Sequence, residues 1–253
     1  MDSFFFGDAA EQLYGVMHEP EGTLIRDFAL LVCYPYGQEY MITHRALRTL
    51  SVNMARAGVP SMRFDYAGTG DSAGETFSFA TGVDNTVAAA QQLAELSGMD
   101  RIKLVGLRLG AAIAVQASQR IANIAHISLW DPVIDGSVYI NQLTQHGMED
   151  PDNNGTLWVN GYPITPSAQQ ELRAIDIQAG ALEKLASVHF VLSQANTNAD
   201  RLIASLDKQK IKLSVDNSNL DDAKTWMKAD VNGTFLLPYE ILKRIQQTLL
   251  QED

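Results

Sequence analysis

The sequence contains a single cysteine, Cys33, among 253 residues. One thiol forms no internal disulfide and offers no cysteine cluster to a metal, so neither a cross-link nor a thiolate metal centre is expected. No apolar run reaches the roughly 18–20 residues that a membrane-spanning helix needs. The opening residues, Met1 to Asp8, are acidic around three phenylalanines, a stretch too short for a secretory leader. Basic residues are few: 19 Lys and Arg stand against 30 Asp and Glu, a formal charge of −11. Such a surface repels nucleic acid and anionic membranes as general partners. Histidine is scarcer still, five in all, the last of them His189. These absences lead to the expectation of a cytoplasmic protein without cofactor, metal or membrane insertion, and they leave its oligomeric state open.

Hydrophobic residues make up 46% of the chain, enough for a substantial core, and a doubly wound α/β unit of this length is commonly one domain. A single domain over 1–253 is therefore expected. Strand-like and helix-like segments alternate, which implies a mainly parallel sheet covered on both faces. Strands are predicted near 28–33, 60–65, 101–105, 124–130, 188–192 and 211–215. Helices are predicted near 43–57, 79–96, 109–120 and 238–250. Residues 135–185 break the rhythm and read as a cap over the sheet, with Asn160-Gly161 as a hairpin signal. The whole predicts seven or eight strands with helices on both faces.

The chemistry is carried by Gly106-Leu107-Arg108-Leu109-Gly110, set between a predicted strand and a helix rich in small residues. Gly-x-X-x-Gly in that context is the nucleophile elbow, a sharp turn that presents its central side chain and requires small neighbours. The N–H of Leu109, at the start of the following helix, would face an anion held there.

With this elbow go the loop Tyr34-Pro35-Tyr36-Gly37-Gln38-Glu39, the loop from Phe64-Asp65-Tyr66 through Gly68-Thr69-Gly70-Asp71-Ser72-Ala73-Gly74, the segment Gly161-Tyr162-Pro163-Ile164, Leu172 and Ile175-Asp176-Ile177. On these motifs, residues 10–250 resemble the α/β-hydrolases, in particular the serine-aminopeptidase-like branch that includes the hydrolases found beside exosortase and surface-polysaccharide genes. The resemblance implies the α/β-hydrolase fold and a place in a biosynthetic pathway. It also implies a serine or cysteine at the elbow and a histidine in the loop after the last strand. Here the elbow position is Arg108, which stays protonated and cannot attack, and residues 217–234 contain no histidine. Loss of either group cripples a triad.

Arg108 then has two readings, a plug paired with an internal carboxylate or an anchor for an anionic ligand; an unpaired buried guanidinium is too costly to persist. Glu39 and Asp131 are the leading partners. The candidate ligand-binding set is Tyr36, Gly37, Glu39, His44, Arg108, Leu109 and Asp131, with Asp131 as candidate acid and His44 as candidate proton donor. Tyr34, Tyr40, Trp158 and Tyr162 could line a pocket or simply pack the cap. His126, His189 and Asp65 read as structural. Gly68-x-Gly70-x-x-Ala73 is a poor dinucleotide fingerprint, because no helix opens at once behind it. The leading expectation is a non-hydrolytic α/β-hydrolase homologue that binds a small ligand, anionic in one reading, or a partner protein of a biosynthetic pathway through the old cleft. The alternatives are a lyase or cyclase that uses Arg108 to hold an oxyanion or carboxylate, and residual ester or thioester hydrolysis by Cys33, Ser72 or Asp131.

Overall fold

A computed structural model describes residues 1–9, 11–145, 147–149, 154–206, 211–217 and 235–251. His146 and residues 218–234, the greater part of the predicted loop after the last strand, lie outside these. In chain order the elements are β1 (Asp2–Phe6), β2 (Leu13–His18), β3 (Ala29–Cys33), α1 (Gln38–Arg56), β4 (Ser61–Phe64), α2 (Phe79–Ser97), β5 (Ile102–Leu107), α3 (Leu109–Ser118), β6 (Ile124–Trp130), α4 (Gly136–Thr144), β7 (Gly147–Glu149), β8 (Leu157–Val159), β9 (Tyr162–Ile164), α5 (Pro166–Arg173), β10 (Ser187–Val191), α6 (Thr197–Leu206), β11 (Lys212–Asp216) and α7 (Tyr239–Leu250).

Eight strands form the main sheet in the order β1-β2-β4-β3-β5-β6-β10-β11. The two pairings of β2 are antiparallel and the other strand pairs are parallel. β3 and β5 are buried along their whole length, as strands covered on both faces must be. α1 packs against α7 and α2 against α3. The strand count, parallel character and two-sided cover match the sequence expectation.

Among the helices, two boundaries differ from it by more than one residue. α1 starts at Gln38 rather than 43, because the Tyr40 and Met41 N–H groups donate to the Gly37 carbonyl and begin the helix immediately after the loop. α3 stops at Ser118, where the Arg120 N–H turns back to the Ala117 carbonyl.

Between β6 and β10 the chain leaves the main sheet. It forms α4, a three-stranded antiparallel sheet in the order β7-β8-β9, and α5. The Asn160-Gly161 turn joins β8 to β9 with both residues at positive φ, 50° and 86°, the type I′ geometry that those residues favour. Asp135 caps α4 by accepting the Val138 N–H, and Thr165 caps α5 by accepting that of Ala168.

The elbow is built by close approach. A Cβ on Gly106 would lie 2.5 Å from the Ala111 Cα, and one on Gly110 would lie 2.3 Å from the Tyr34 carbonyl oxygen. Both contacts are with backbone, which cannot swing aside. α3 can therefore sit on the ends of β3 and β5 only with glycine at both positions. Gly110→Ala should destabilise the protein by about 1–3 kcal/mol, the usual range for overpacking, or prevent folding. A urea unfolding midpoint unchanged by this substitution would refute the packing argument.

A buried polar chain crosses the other side of the sheet. His126 Nδ1 lies 2.7 Å from Ser187 Oγ and its Nε2 2.9 Å from Ser128 Oγ. Ser128 Oγ is 3.4 Å from His189 Nδ1, and His189 Nε2 is 3.0 Å from Asp216 Oδ2. His126 and His189 are core residues, as the sequence suggests. Burial, then the neighbouring His189, pushes His126 down to about 3; burial and Arg63 push His18 down to about 4. Both imidazoles are neutral in the fold and protonate on unfolding from about pH 6.5 downward, so acid favours the unfolded chain. Asp216, lowered by its hydrogen bond to His189, acts in the same sense at lower pH, whereas Asp65, raised by burial, opposes it. Stability should fall as pH drops from about 6.5 to 4, by on the order of 2–4 kcal/mol per buried histidine. Urea midpoints measured across that window test it, and a flat profile is the contrary result.

Candidate functional site

The parallel strands β3, β5, β6 and β10 end at one edge of the sheet, and the residues that follow them converge there, as is usual for ligand sites in open α/β sheets. Arg108 stands at the apex between β5 and α3, with φ 53° and ψ −119°. This strained backbone is fixed from both sides: the Arg108 N–H donates to the Trp130 carbonyl, and its own carbonyl accepts from the Ala111 and Val133 N–H groups.

Each nitrogen of the guanidinium has an acceptor. Nε donates to Glu39 Oε1 at 2.8 Å, Nη1 to the Asp131 carbonyl oxygen at 3.3 Å and Nη2 to Gln142 Oε1 at 3.5 Å. Its Cζ lies 5.5 Å from the centre of the Tyr139 ring, within cation–π range. The Tyr139 hydroxyl donates to the second Glu39 oxygen at 3.4 Å. The Arg108 and Glu39 side chains are only 12% and 13% exposed, so this is a mostly buried pair. Burial is the largest single influence and works against the cation, but the Glu39 charge, Tyr139, the hydrogen bond to Glu39 and Asp131 together outweigh it and carry Arg108 above its ordinary value. Burial, with Glu39 second, raises Tyr139 well above the usual phenol range.

Asp131 does not make the predicted ion pair. It contributes only its backbone carbonyl to Arg108, while its carboxylate accepts the Ser193 N–H at 2.7 Å and the Ser193 hydroxyl. With φ 41° the residue turns toward the end of β10, and the carboxylate is satisfied there. His44 is likewise not brought to Arg108. The early start of α1 places it two turns into the helix, stacked on Tyr34 and 3.3 Å from Arg63 Nη1, beside a separate cavity. Burial and Arg63 lower its pKa, the wrong direction for a proton donor at neutral pH. None of the four described histidines lines a cavity that contains Arg108.

Two cavities of about 360 Å³ each meet at Arg108, Tyr139, Gln142 and Gln194. One is edged by Pro132, Asp135, Asn196 and Asn198 and is polar. The other is edged by Tyr36, Gly37, Glu39, Leu143, Val159, Tyr162 and Ile164 and is more apolar. Tyr36, Gly37, Glu39 and Arg108 are thus gathered as expected. Leu109 is buried beneath them; its N–H, at the first helical position, has no acceptor within the helix. Tyr162 lines the apolar lobe, and Trp158 lies outside both.

Tyr139, Gln142, Gln194 and Asn196 were not singled out from sequence. Tyr139 and Gln142 share one face of α4 at i, i+3 spacing, but only the fold brings that face over Arg108. The alternative nucleophiles are disarmed. Cys33 is fully buried, and burial pushes its thiol up to about 12. Ser72 donates to the Asp65 carbonyl and accepts the Tyr14 N–H. Among the described residues, no cluster of histidine, cysteine and carboxylates could hold a metal ion, and no helix is long and apolar enough to cross a membrane.

The chain has the α/β-hydrolase fold. It resembles the ferulic-acid-bound structure of Est1E from Butyrivibrio proteoclasticus, with a TM-score of 0.68, 15% identity and 98% of each chain covered. A Pyrococcus furiosus esterase matches with a TM-score of 0.67 at 10% identity, over 98% of this chain and 89% of that one. An α/β serine hydrolase homologue from Coxiella burnetii matches with a TM-score of 0.58 at 13% identity, over 98% and 95%. No family model and no curated protein matches the chain.

The pair can be tested through what each substitution leaves behind. Arg108→Met strands the Glu39 carboxylate in a mostly buried site and should cost about 3 kcal/mol. Arg108→Met combined with Glu39→Gln removes both charges and should recover a large part of that loss. Urea unfolding of the two single variants and the double variant measures the coupling; strictly additive losses would show that the pair contributes nothing.

Proposed function

We propose that this protein is a non-hydrolytic member of the α/β-hydrolases, similar to the exosortase-associated branch, in which arginine replaces the nucleophile and the old cleft serves recognition. The observation that carries this reading is the closed Arg108–Glu39 pair at the elbow apex. The residue on the nucleophile's turn is a cation that cannot attack, and its charge is already held by an internal acid. An arginine that anchored a substrate oxyanion would need its charge uncompensated, whereas here it is paired with Glu39 and each of its three nitrogens already has one acceptor within the protein. That favours recognition over lyase, cyclase or unusual esterase chemistry.

The two lobes meeting at Arg108 are of small-molecule size. Their edges combine amides and hydroxyls on one side with tyrosine and aliphatic side chains on the other, which suits a small molecule with a polar and an apolar end. Residues 135–185 give the polar lobe Asp135, Val138, Tyr139 and Gln142 and the apolar lobe Leu143, Val159, Tyr162 and Ile164, which supports reading them as the cap. A cytoplasmic role in a biosynthetic pathway, with a metabolite or a partner protein seated under that cap, follows from the motif resemblance and the acidic, low-cysteine composition.

The purified protein should hydrolyse p-nitrophenyl acetate no faster than a mock preparation and should not be labelled by a fluorophosphonate probe. Arg108→Ser should remain inactive, because none of the described histidines is placed to activate the hydroxyl. Ester turnover that survives repurification and disappears in Arg108→Ala would overturn the proposal in favour of chemistry based on Arg108.

A further inference from the structure

We propose that a third cavity, between β4 and α1, binds a small hydroxy or amino acid, its carboxylate on Arg63 and its donor group on the acids opposite. The cavity holds about 200 Å³ and is walled by Arg63, His44, Tyr34, Tyr40, Asp65 and Asp71. At roughly 30 Å³ per water it has room for about seven heavy atoms.

The case rests on how Arg63 is compensated. The residue is only 7% exposed. Its Nε donates to His18 Nε2 at 3.0 Å, and its Nη1 reaches the Tyr34 hydroxyl at 3.4 Å and His44 Nε2 at 3.3 Å. Of five guanidinium N–H donors, three are therefore used, all on neutral groups. Among the described residues Nη2 has no hydrogen-bond partner, and it is not sealed off from solvent. Among the described residues no carboxylate is in ion-pair contact with Arg63. A buried cation whose hydrogen-bond partners are neutral and whose Nη2 stays open at a cavity wall is a receptor for an anion.

The opposite wall selects which anion. Asp65 accepts the Tyr40 hydroxyl at 2.8 Å and the Asp71 N–H at 3.1 Å, and each oxygen keeps a further lone pair. Asp71 is exposed beside it. These two acids repel a multiply charged oxyanion such as phosphate but accept a hydroxyl or ammonium group. A compact molecule with a carboxylate at one end and such a donor at the other meets both walls. The stacked Tyr34–His44 pair, ring centres 5.6 Å apart, forms a flat side for it. This cavity shares no lining residue with those at Arg108, so the inference is independent of the proposed function.

The His44 ring signals in NMR spectra report on the site directly. Titration with glycerate or serine should shift them saturably, with a dissociation constant on the order of millimolar. Acetate, which lacks the donor, and inorganic phosphate should each bind about tenfold more weakly or not at all. Arg63→Gln should abolish the shift. Because that buried substitution could unfold the chain, Asp71→Ala, at an exposed position, gives an independent arm: it should weaken glycerate and serine about tenfold and leave acetate unchanged. Arg108→Ala should leave all of these titrations as in the wild type. A His44 signal that does not respond to glycerate or serine overturns the proposal. So does phosphate binding as tightly as they do, or an Asp71→Ala protein with unaltered affinity for both.

Discussion

The arrangement at the sheet edge depends on one electrostatic problem, a guanidinium placed at the start of a helix. Arg108 is the N-cap of α3, where the first N–H groups already present partial positive charge. A cation there is opposed by the helix as well as by burial. Glu39 resolves both. It lies in the first turn of α1, where the helix dipole favours an acid, and its carboxylate reaches across to Arg108 Nε. Two helix N-termini are thus joined through a carboxylate and a guanidinium. The glycines at 106 and 110 bring the helix close enough to the strand ends for that geometry. Tyr139 and Gln142, on α4, close the remaining sides, so the excursion from the main sheet is tied to the elbow by the same charge.

Arg63 meets a comparable problem on the same sheet and solves it differently. Its contacts are two imidazoles and a phenol, which satisfy N–H groups without cancelling charge. Those imidazoles can accept only while neutral, and burial first, with the Arg63 charge second, lowers the pKa values of both His18 and His44. Arg108 is neutralised within the protein; Arg63 is hydrogen-bonded but left with its charge facing a cavity. Two arginines of similar burial therefore invite different partners. Lys103 is a third buried cation, and its contacts are structural: Nζ donates to the Leu249 and Gln251 carbonyls at the end of α7 and sits 4.4 Å from the Phe28 ring centre.

The fold was legible because its signals are local. Apolar β3 and β5, the Gly-x-X-x-Gly turn and Asn160-Gly161 each specify backbone geometry through residues adjacent in sequence. Glu39 was legible as a partner because it follows the loop after β3, next to β5 in the sheet. Asp131 was misjudged for a reason that sequence does not carry. Position after a strand fixes where its Cα lies, but the positive φ and the Ser193 N–H decide where the carboxylate points. His44 failed on a boundary: a helix beginning at Gln38 rather than Thr43 moves the residue inward and onto Tyr34. Tyr139, Gln142 and Gln194 were invisible because their role exists only once α4 and the end of β10 are laid over the elbow.

Orientation of the acids is what supports the proposed reading of the site. General acid–base chemistry needs a titratable group with a proton to give or a lone pair to accept one, within reach of a bound molecule. Glu39 is bound to Arg108 and Tyr139. Asp131 lines neither lobe and is held by Ser193. Asp135 caps α4 with the oxygen that accepts the Val138 N–H. The Tyr139 proton is retained far above neutral pH, and the Tyr36 hydroxyl donates to the Pro163 carbonyl. Each of these groups already serves to hold an element of the cleft in place. What remains facing the lobes, the Gln142, Gln194 and Asn196 amides beside the tyrosine rings, exchanges no protons at physiological pH and offers hydrogen bonds of fixed direction. On the proposed reading such a cleft recognises a molecule's shape and polar groups, with Glu39 and Asp131 committed to holding that shape.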